Sequence, residues 1–146
     1  MAHLSNHEST NADMRGQLVS GRRAGYILAG LATFTIRNPQ TGTRFTYKVT
    51  KTADERPFYF VGCLSGPDNT VDYSYLGVLD HGKFRLTAKS KAGLDAPSVQ
   101  AFQWLTGHWE DARVEVWHEG RCGRCGKKLT VPESIESGIG PVCVGL

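Results

Sequence analysis

The chain reads as an α+β protein: an antiparallel β-meander with one packing helix and a small cysteine-bearing element at the C-terminal end. Three observations carry this reading. Between Ala32 and Lys89, short β-rich runs are separated by turn residues. Between Asp95 and Gly107 the apolar spacing changes to that of a helix. Beyond His118, three of the four cysteines fall within residues 118–143.

Residues 1–20 hold few large apolar side chains and no period, so a flexible N-terminal segment is expected there and order near Tyr26. In "ATFTIR", Ala32, Phe34 and Ile36 alternate with Thr33, Thr35 and Arg37. After the turn "NPQTGT", "RFTYKVT" sets Phe45, Tyr47 and Val49 against Arg44, Thr46 and Lys48, and the two runs predict a hairpin. "FYFVGCL" (58–64) and "YSYLGVL" (73–79) are apolar on both faces, which predicts central strands covered on both sides. "FRLTAK" predicts a fifth strand, with Phe84, Leu86 and Ala88 opposite Arg85, Thr87 and Lys89. Asp95 fits a helix N-cap with Pro97 in the first turn, and Val99, Phe102 and Leu105 follow at helical spacing. "ARVEVWH" predicts a last strand with Val114, Val116 and His118 on one face. The expected organisation is a flexible 1–20, a β-rich core over 21–117 and a tail over 118–146 packed on that core.

No apolar run approaches the ~20 residues of a membrane-spanning helix, and residues 1–20 lack the pattern of a signal peptide. A cytoplasmic setting is therefore expected, where thiols stay reduced and C-x-x-C points to metal or redox chemistry rather than to a structural disulfide. The net charge of +3 is unevenly spread. Residues 21–91 hold eleven basic and five acidic side chains, 92–120 one against five, and 121–146 four against two. Basic segments of this kind suit a polyanionic partner.

The cysteines are spaced His118-x3-Cys122-x2-Cys125-x17-Cys143. C-x-x-C brings two thiolates to one ion from a tight turn, and the following Gly126 fits the turn of a zinc knuckle. Thr130-x-x-Glu133 is a capping box, with Pro132 in the first turn of a short helix over about 131–137. Gly138 stands at its end, before "GIGP" turns the chain back to Cys143. So short a tail cannot offset its ordering entropy of roughly 1–2 kcal/mol per residue with its own apolar contacts. One structural Zn²⁺ held by Cys122, Cys125, Cys143 and His118 would supply what is missing. His108, His81 and Cys63 are the other candidates for the fourth ligand. Three thiolates and an imidazole leave no open coordination position, so the role is structural. The H-x-E…P-C-x-x-C spacing of zinc deaminases is not matched, and no P-loop, G-x-S-x-G or H-E-x-x-H occurs. No enzymatic role is expected.

Over "CGRCGKKLTVPESIESGIGPVC" the chain resembles a small zinc-binding domain of uncharacterised bacteriophage and prophage proteins, of pattern C-x-x-C-G…S-x-x-x-G-x-G-P-x-C. The resemblance runs from Cys122 to Cys143 without a gap. It implies a treble-clef-like or ribbon-like zinc element, zinc ligation at those cysteines, and a bacterial host cytoplasm as the place of action. It implies no activity.

Two functions fit. In the first, the polar strand faces bind nucleic acid through its phosphates, using Arg37, Arg44, Lys48, Lys83, Arg85 and Lys89. Arg121, Arg124, Lys127 and Lys128 extend this set around the knuckle. Because Phe34, Phe45, Tyr47 and Phe84 fall on the opposite, core-like face, backbone contact rather than base stacking is expected. In the second, the chain docks on a host or phage protein, for example as an inhibitor of an antiviral system. The acidic 110–119 segment and Trp104, Trp109 and Trp117 would then form the interface.

Overall fold

The computed structural model describes residues 16–68, 70–129, 135 and 137–139. Six antiparallel strands form one sheet: β1 (Leu31–Arg37), β2 (Arg44–Lys51), β3 (Tyr59–Leu64), β4 (Tyr73–Asp80), β5 (Lys83–Arg85) and β6 (Glu115–His118). Their order is β5-β4-β3-β2-β1-β6. The first five are a meander, and the chain then crosses the sheet so that β6 pairs with β1. Two α-helices accompany them, α1 (Arg23–Ile27) and α2 (Pro97–Gly107).

Helix α2 lies on one face of the sheet. Val99, Phe102 and Leu105 are fully buried, and the Phe102 ring meets those of Phe34, Tyr47 and Phe84 at 6.3, 5.2 and 4.9 Å. The Tyr47 hydroxyl donates to the Ser98 carbonyl at 2.7 Å, which ties the sheet centre to the first turn of the helix. The helix begins at Pro97 with Ala96 as N-cap and no side-chain cap bond. Asp95 is not the cap; proline at the first position has no N–H to satisfy and brings its own helical φ.

Strand β5 stops at Arg85, because Ser90 Oγ accepts from the Thr87 amide and the Ser90 amide donates to the Thr87 carbonyl. That turn replaces the longer strand expected from "FRLTAK", and Lys89 lies in the turn rather than on a strand face. The chain is ordered before Tyr26. The His118 and Leu18 amides donate to the Gly16 and Val116 carbonyls, so residues 16–18 line the outer edge of β6, and Leu18 is buried.

The alternation in β4 contains a break. Val61 pairs with Gly77 but Gly62 with Tyr75, so Leu76 is an extra residue, a β-bulge. Strict alternation would put Tyr73, Tyr75, Gly77 and Leu79 on one face. The bulge instead turns Gly77 and Leu79 to the α2 side, and Tyr73 and Tyr75 to the other side. Neither β3 nor β4 is covered on both sides by a described element. Among the described residues α2 is the one helix long enough to cover a sheet, and it covers a single face.

Arg23 of α1 is buried, and among the described residues it forms no ion pair. Its guanidinium donates to three carbonyls of the segment leading into β6: Trp109 at 3.1 Å, Asp111 at 2.7 Å and Val114 at 2.8 Å. This clamp fixes where β6 enters the sheet.

Candidate functional site

Two regions carry chemistry: a cysteine hairpin that follows β6, and the face of the sheet turned away from α2.

The hairpin closes through an antiparallel bridge between Arg121 and Lys128. Inside it the Cys122 amide donates to the Lys127 carbonyl at 2.8 Å, and the Gly126 amide to the Cys122 carbonyl at 2.9 Å. The Arg124 amide points at the Cys122 sulfur, 3.4 Å away. Gly126 has φ +79°, a left-handed conformation that a residue with a Cβ resists. The turn thus directs an amide at a sulfur that is fully buried, while Cys125 is exposed.

The hairpin docks on the start of β1. The Leu31 amide donates to the Gly123 carbonyl and the Gly123 amide to the Gly138 carbonyl, both at 2.7 Å. Gly123 and Gly138 lie against the Tyr26 ring so closely that a Cβ on either would strike it. Tyr26 is itself fixed: its hydroxyl donates to the Thr33 carbonyl at 2.8 Å and accepts from the Thr33 amide at 3.2 Å. Burial pushes its phenol well above the ordinary range. The ring of His118 sits 5.6 Å from that of Tyr26.

His118 is buried, and main-chain groups engage both of its ring nitrogens. Nδ1 accepts from the Gly120 amide at 2.9 Å, which leaves the proton on Nε2 to donate to the Ile135 carbonyl. Burial lowers its pKa, and the bond to Ile135 opposes that shift. Ligation of a metal by His118 requires one of these bonds to be exchanged. The other candidates lie elsewhere. His81 occupies the β4–β5 turn at the far edge of the sheet. His108 caps α2, stacked on Trp104 at 4.6 Å. Cys63 shares a cross-strand row with Tyr47, Phe34 and His118, three strands from the histidine, or roughly 14 Å. Among the described residues no three His, Cys, Asp or Glu side chains form a group able to hold a metal. Cys143 and the capping box Thr130–Glu133 lie outside the described residues. Ile135 and Ser137, from the same expected short helix, are helical, and Gly138 after them has φ +76°.

The outer sheet face is ordered in cross-strand rows. Arg85, Val78, Phe60, Thr50 and Leu31 form one; Tyr75, Gly62, Lys48 and Thr33 the next; Tyr73, Leu64, Thr46, Thr35 and Trp117 a third. Arg44, Arg37 and Glu115 end it. Glu115 Oε1 accepts from Arg37 at 2.9 Å and from the Trp117 indole at 3.0 Å. Lys48 Nζ lies 4.7 Å from the centre of the Tyr73 ring and donates to the Thr70 carbonyl. The inward positions of Phe34, Tyr47 and Phe84 are as expected, and Phe45 packs partly buried against the same core. The outward position of Trp117, opposite His118, follows from the alternation of β6, whereas those of Phe60, Tyr73 and Tyr75 were not read from the sequence. One signal for them was available: both faces of two strands are apolar, with one helix to cover them.

The basic residues do not form one stripe. Lys83 and Arg85 lie on β5, three strands from β2, or roughly 14 Å. Arg121, Arg124, Lys127 and Lys128 are all exposed on the hairpin at the start of β1, whereas Arg37 and Arg44 sit at its other end, roughly 20 Å along the strand. Three basic patches therefore surround an apolar and aromatic centre.

A groove of about 540 Å³ opens between the β1–β2 turn and α2, lined among others by Asn38, Thr43, Gln100, Trp104 and Arg113. The Trp104 ring stacks on His108, and the Arg113 guanidinium lies 5.5 Å from its centre.

A family of unknown function (DUF6011) matches residues 113–146, the stretch that contains β6 and the cysteine hairpin. No curated protein and no solved structure matches the chain. Among the described residues no helix is long and apolar enough to cross a membrane.

Proposed function

We propose that this chain is a phage-type accessory protein that binds nucleic acid in the bacterial cytoplasm and carries one structural Zn²⁺. The observation that carries the binding reading is the open sheet face, where Lys48, Arg44 and Arg85 stand among threonines with no described element over them. Cationic and hydroxyl side chains on an open face suit phosphate oxygens. The hairpin supports the zinc reading: an amide directed at the Cys122 sulfur stabilises a thiolate, and Cys125 returns to the same turn. Cys143 would complete three thiolates, and His118 is the preferred fourth ligand. The metal's contribution is to hold the tail on Tyr26 and β1.

Fluorescence anisotropy with labelled oligonucleotides at about 50 mM salt tests the binding, because phosphate contacts are strongest at low salt. Binding that weakens steeply as salt rises is the expected result; no binding to single or double strands would end the proposal. Metal analysis tests the site. One zinc per chain, lost in Cys143→Ala, is expected, and freshly purified protein free of metal would remove zinc from the account.

The groove beside Trp104 favours a second reading, a protein-docking module. Trp104 carries an imidazole stacked on its ring and a guanidinium 5.5 Å from its centre, and tryptophan and arginine are common interface anchors. If nuclease-treated protein retains a host partner that Trp104→Ala releases, this reading replaces the first.

A further inference from the structure

We infer that the outer sheet face takes single-stranded nucleic acid in particular, with unpaired bases lying on Phe60 and Tyr75; this rests on the nucleic-acid reading above and narrows it. Phe60 is 47% exposed at the centre of the sheet, which is unusual for a phenylalanine with no described element over it. It does not stand alone. The Phe58 ring meets it edge-on at 5.2 Å and the Tyr75 ring at 6.2 Å. The Tyr75 hydroxyl is fixed by a 2.9 Å hydrogen bond with Thr87. Next to Tyr75 in its row comes Gly62, which has no side chain, and then Lys48. An aromatic group thus stands one residue from a cation, whose ammonium rests on the neighbouring Tyr73 ring.

Apolar surface of this kind would also suit a protein partner or a second copy of the chain. The charge around it favours a polyanion. Lys83 and Arg85 flank the aromatics on one side and Lys48 on the other, with Arg44 farther along β2. Arg37 and Arg44 stand directly opposite each other, a like-charge pair that costs stability unless something neutralises it. Glu115 pairs with Arg37, while Arg44 is exposed. Protein interfaces are depleted in lysine, whereas strand-binding grooves combine cations for the backbone with rings for the bases. A duplex presents phosphates but keeps its base faces stacked inside, so it cannot use Phe60 and Tyr75. A single strand uses both.

The test compares oligothymidylate with a duplex by anisotropy, in the whole chain as purified, for the wild type, Phe60→Leu and Lys48→Gln. Leucine keeps the apolar volume and removes the ring, so the fold is retained; an unchanged urea midpoint verifies this. Phe60→Leu is expected to weaken single-strand binding roughly 5- to 150-fold, the range carried by one stacked base, without changing its salt dependence. Lys48→Gln is expected to lower the salt slope by about one phosphate. Equal affinity for both nucleic acids, or a single-strand affinity unmoved in Phe60→Leu, would overturn the stacking inference and leave backbone binding standing. Loss of all nucleic-acid binding in the wild type would remove both. A dimer in sedimentation that Phe60→Lys dissociates would assign the face to a second copy and overturn the inference.

Discussion

The two faces of the sheet are made by the same strands, yet they are built for different ends. On the α2 side Phe34, Tyr47, Val49, Val61 and Phe102 leave no surface exposed, and the buried hydroxyls of Tyr47 and Tyr26 are matched by the Ser98 and Thr33 carbonyls. On the other side Phe60 and Leu31 are exposed among lysines, arginines and threonines. The inner face spends its apolar groups on stability. The outer face holds apolar groups that contribute little to folding, which is what a binding surface looks like before its ligand arrives. The largest expected contrast follows directly. Phe102→Ala should cost about 3–5 kcal/mol, from lost transfer energy plus a cavity, and lower the melting temperature by about 10 °C or more. Phe60→Ala should cost about 1 kcal/mol or less. Urea melts of the two variants measure the difference, and comparable losses would mean that the outer face is a second core.

A second contrast sets the clamp of Arg23 against the surface ion pair of Arg113. Arg23 Nη atoms serve three carbonyls between Trp109 and Val114, and Nε is buried with no hydrogen-bond partner among the described residues. Main-chain dipoles supply its hydrogen bonds; burial lowers its pKa, and the nearby Asp111 carboxylate opposes that shift. Arg23→Met keeps the volume but strands three acceptors, so a loss of about 2–4 kcal/mol is expected, with hydrogen exchange rising first at Val116 and His118. Arg113, paired with Asp111 at 2.7 Å, is exposed, and Arg113→Met should leave the melt nearly unchanged. A large effect at Arg113 and none at Arg23 would reverse the assignment.

Much of the inner face was legible in the sequence, and the reason is periodicity. Ala32, Phe34 and Ile36 alternate without a break, as do Tyr47 and Val49, and α2 carries Val99, Phe102 and Leu105 at helical spacing. Those positions are decided by local pattern. The outer face was legible only in part: Thr33, Thr35, Arg37, Arg44, Thr46 and Lys48 follow from alternation, whereas the β4 positions depend on one extra residue. Counting by twos from Tyr73 leads to Leu79 on the same side, and nothing local to "YSYLGVL" announces that Leu76 bulges. The meander of the first five strands was expected and by itself sets β5 far from β1 and β2; the place of β6 was hidden, because its return to β1 is a long-range choice made by the crossing after β5 and fixed by Arg23. Of the candidate metal site, the C-x-x-C-G turn was legible because Gly126 needs a left-handed φ. The part played by Tyr26, which joins the hairpin to the sheet, was not. A tyrosine packed between two glycines more than ninety residues away leaves no spacing signal.

That joint gives a third contrast, between two glycines of similar sequence context. A Cβ at Gly123 would lie 2.7 Å from the Tyr26 ring, whereas one at Gly25, within α1, meets nothing within 4 Å. Gly123→Ala should destabilise by about 1–3 kcal/mol as the hairpin is pushed off Tyr26, with faster exchange of the Leu31 amide. Gly25→Ala should stabilise by about 0.5–1 kcal/mol, as alanine does in a helix. A tolerated Gly123→Ala would show that the hairpin is held by something other than its fit to Tyr26.

The smallest effect separates two cysteines. Burial beside Tyr47 and α2 pushes the Cys63 thiol up to about 11 from the ordinary 9.0, partly offset by a hydrogen bond with Ser98. Cys125 is exposed on the hairpin. A raised thiol pKa means that the folded state prefers the neutral form. Its contribution to stability is therefore complete below about pH 9 and fades as pH rises towards about 11. In chelator at about pH 8, below the ordinary thiol value, iodoacetamide should alkylate Cys125 within the folded protein and spare Cys63 until urea is added. Zinc should then slow the reaction at Cys125 and change nothing at Cys63. Peptide mass spectrometry resolves the two sites. Modification of Cys63 at the rate of Cys125 would mean that the inner face opens without global unfolding, which would erase the distinction between the two faces.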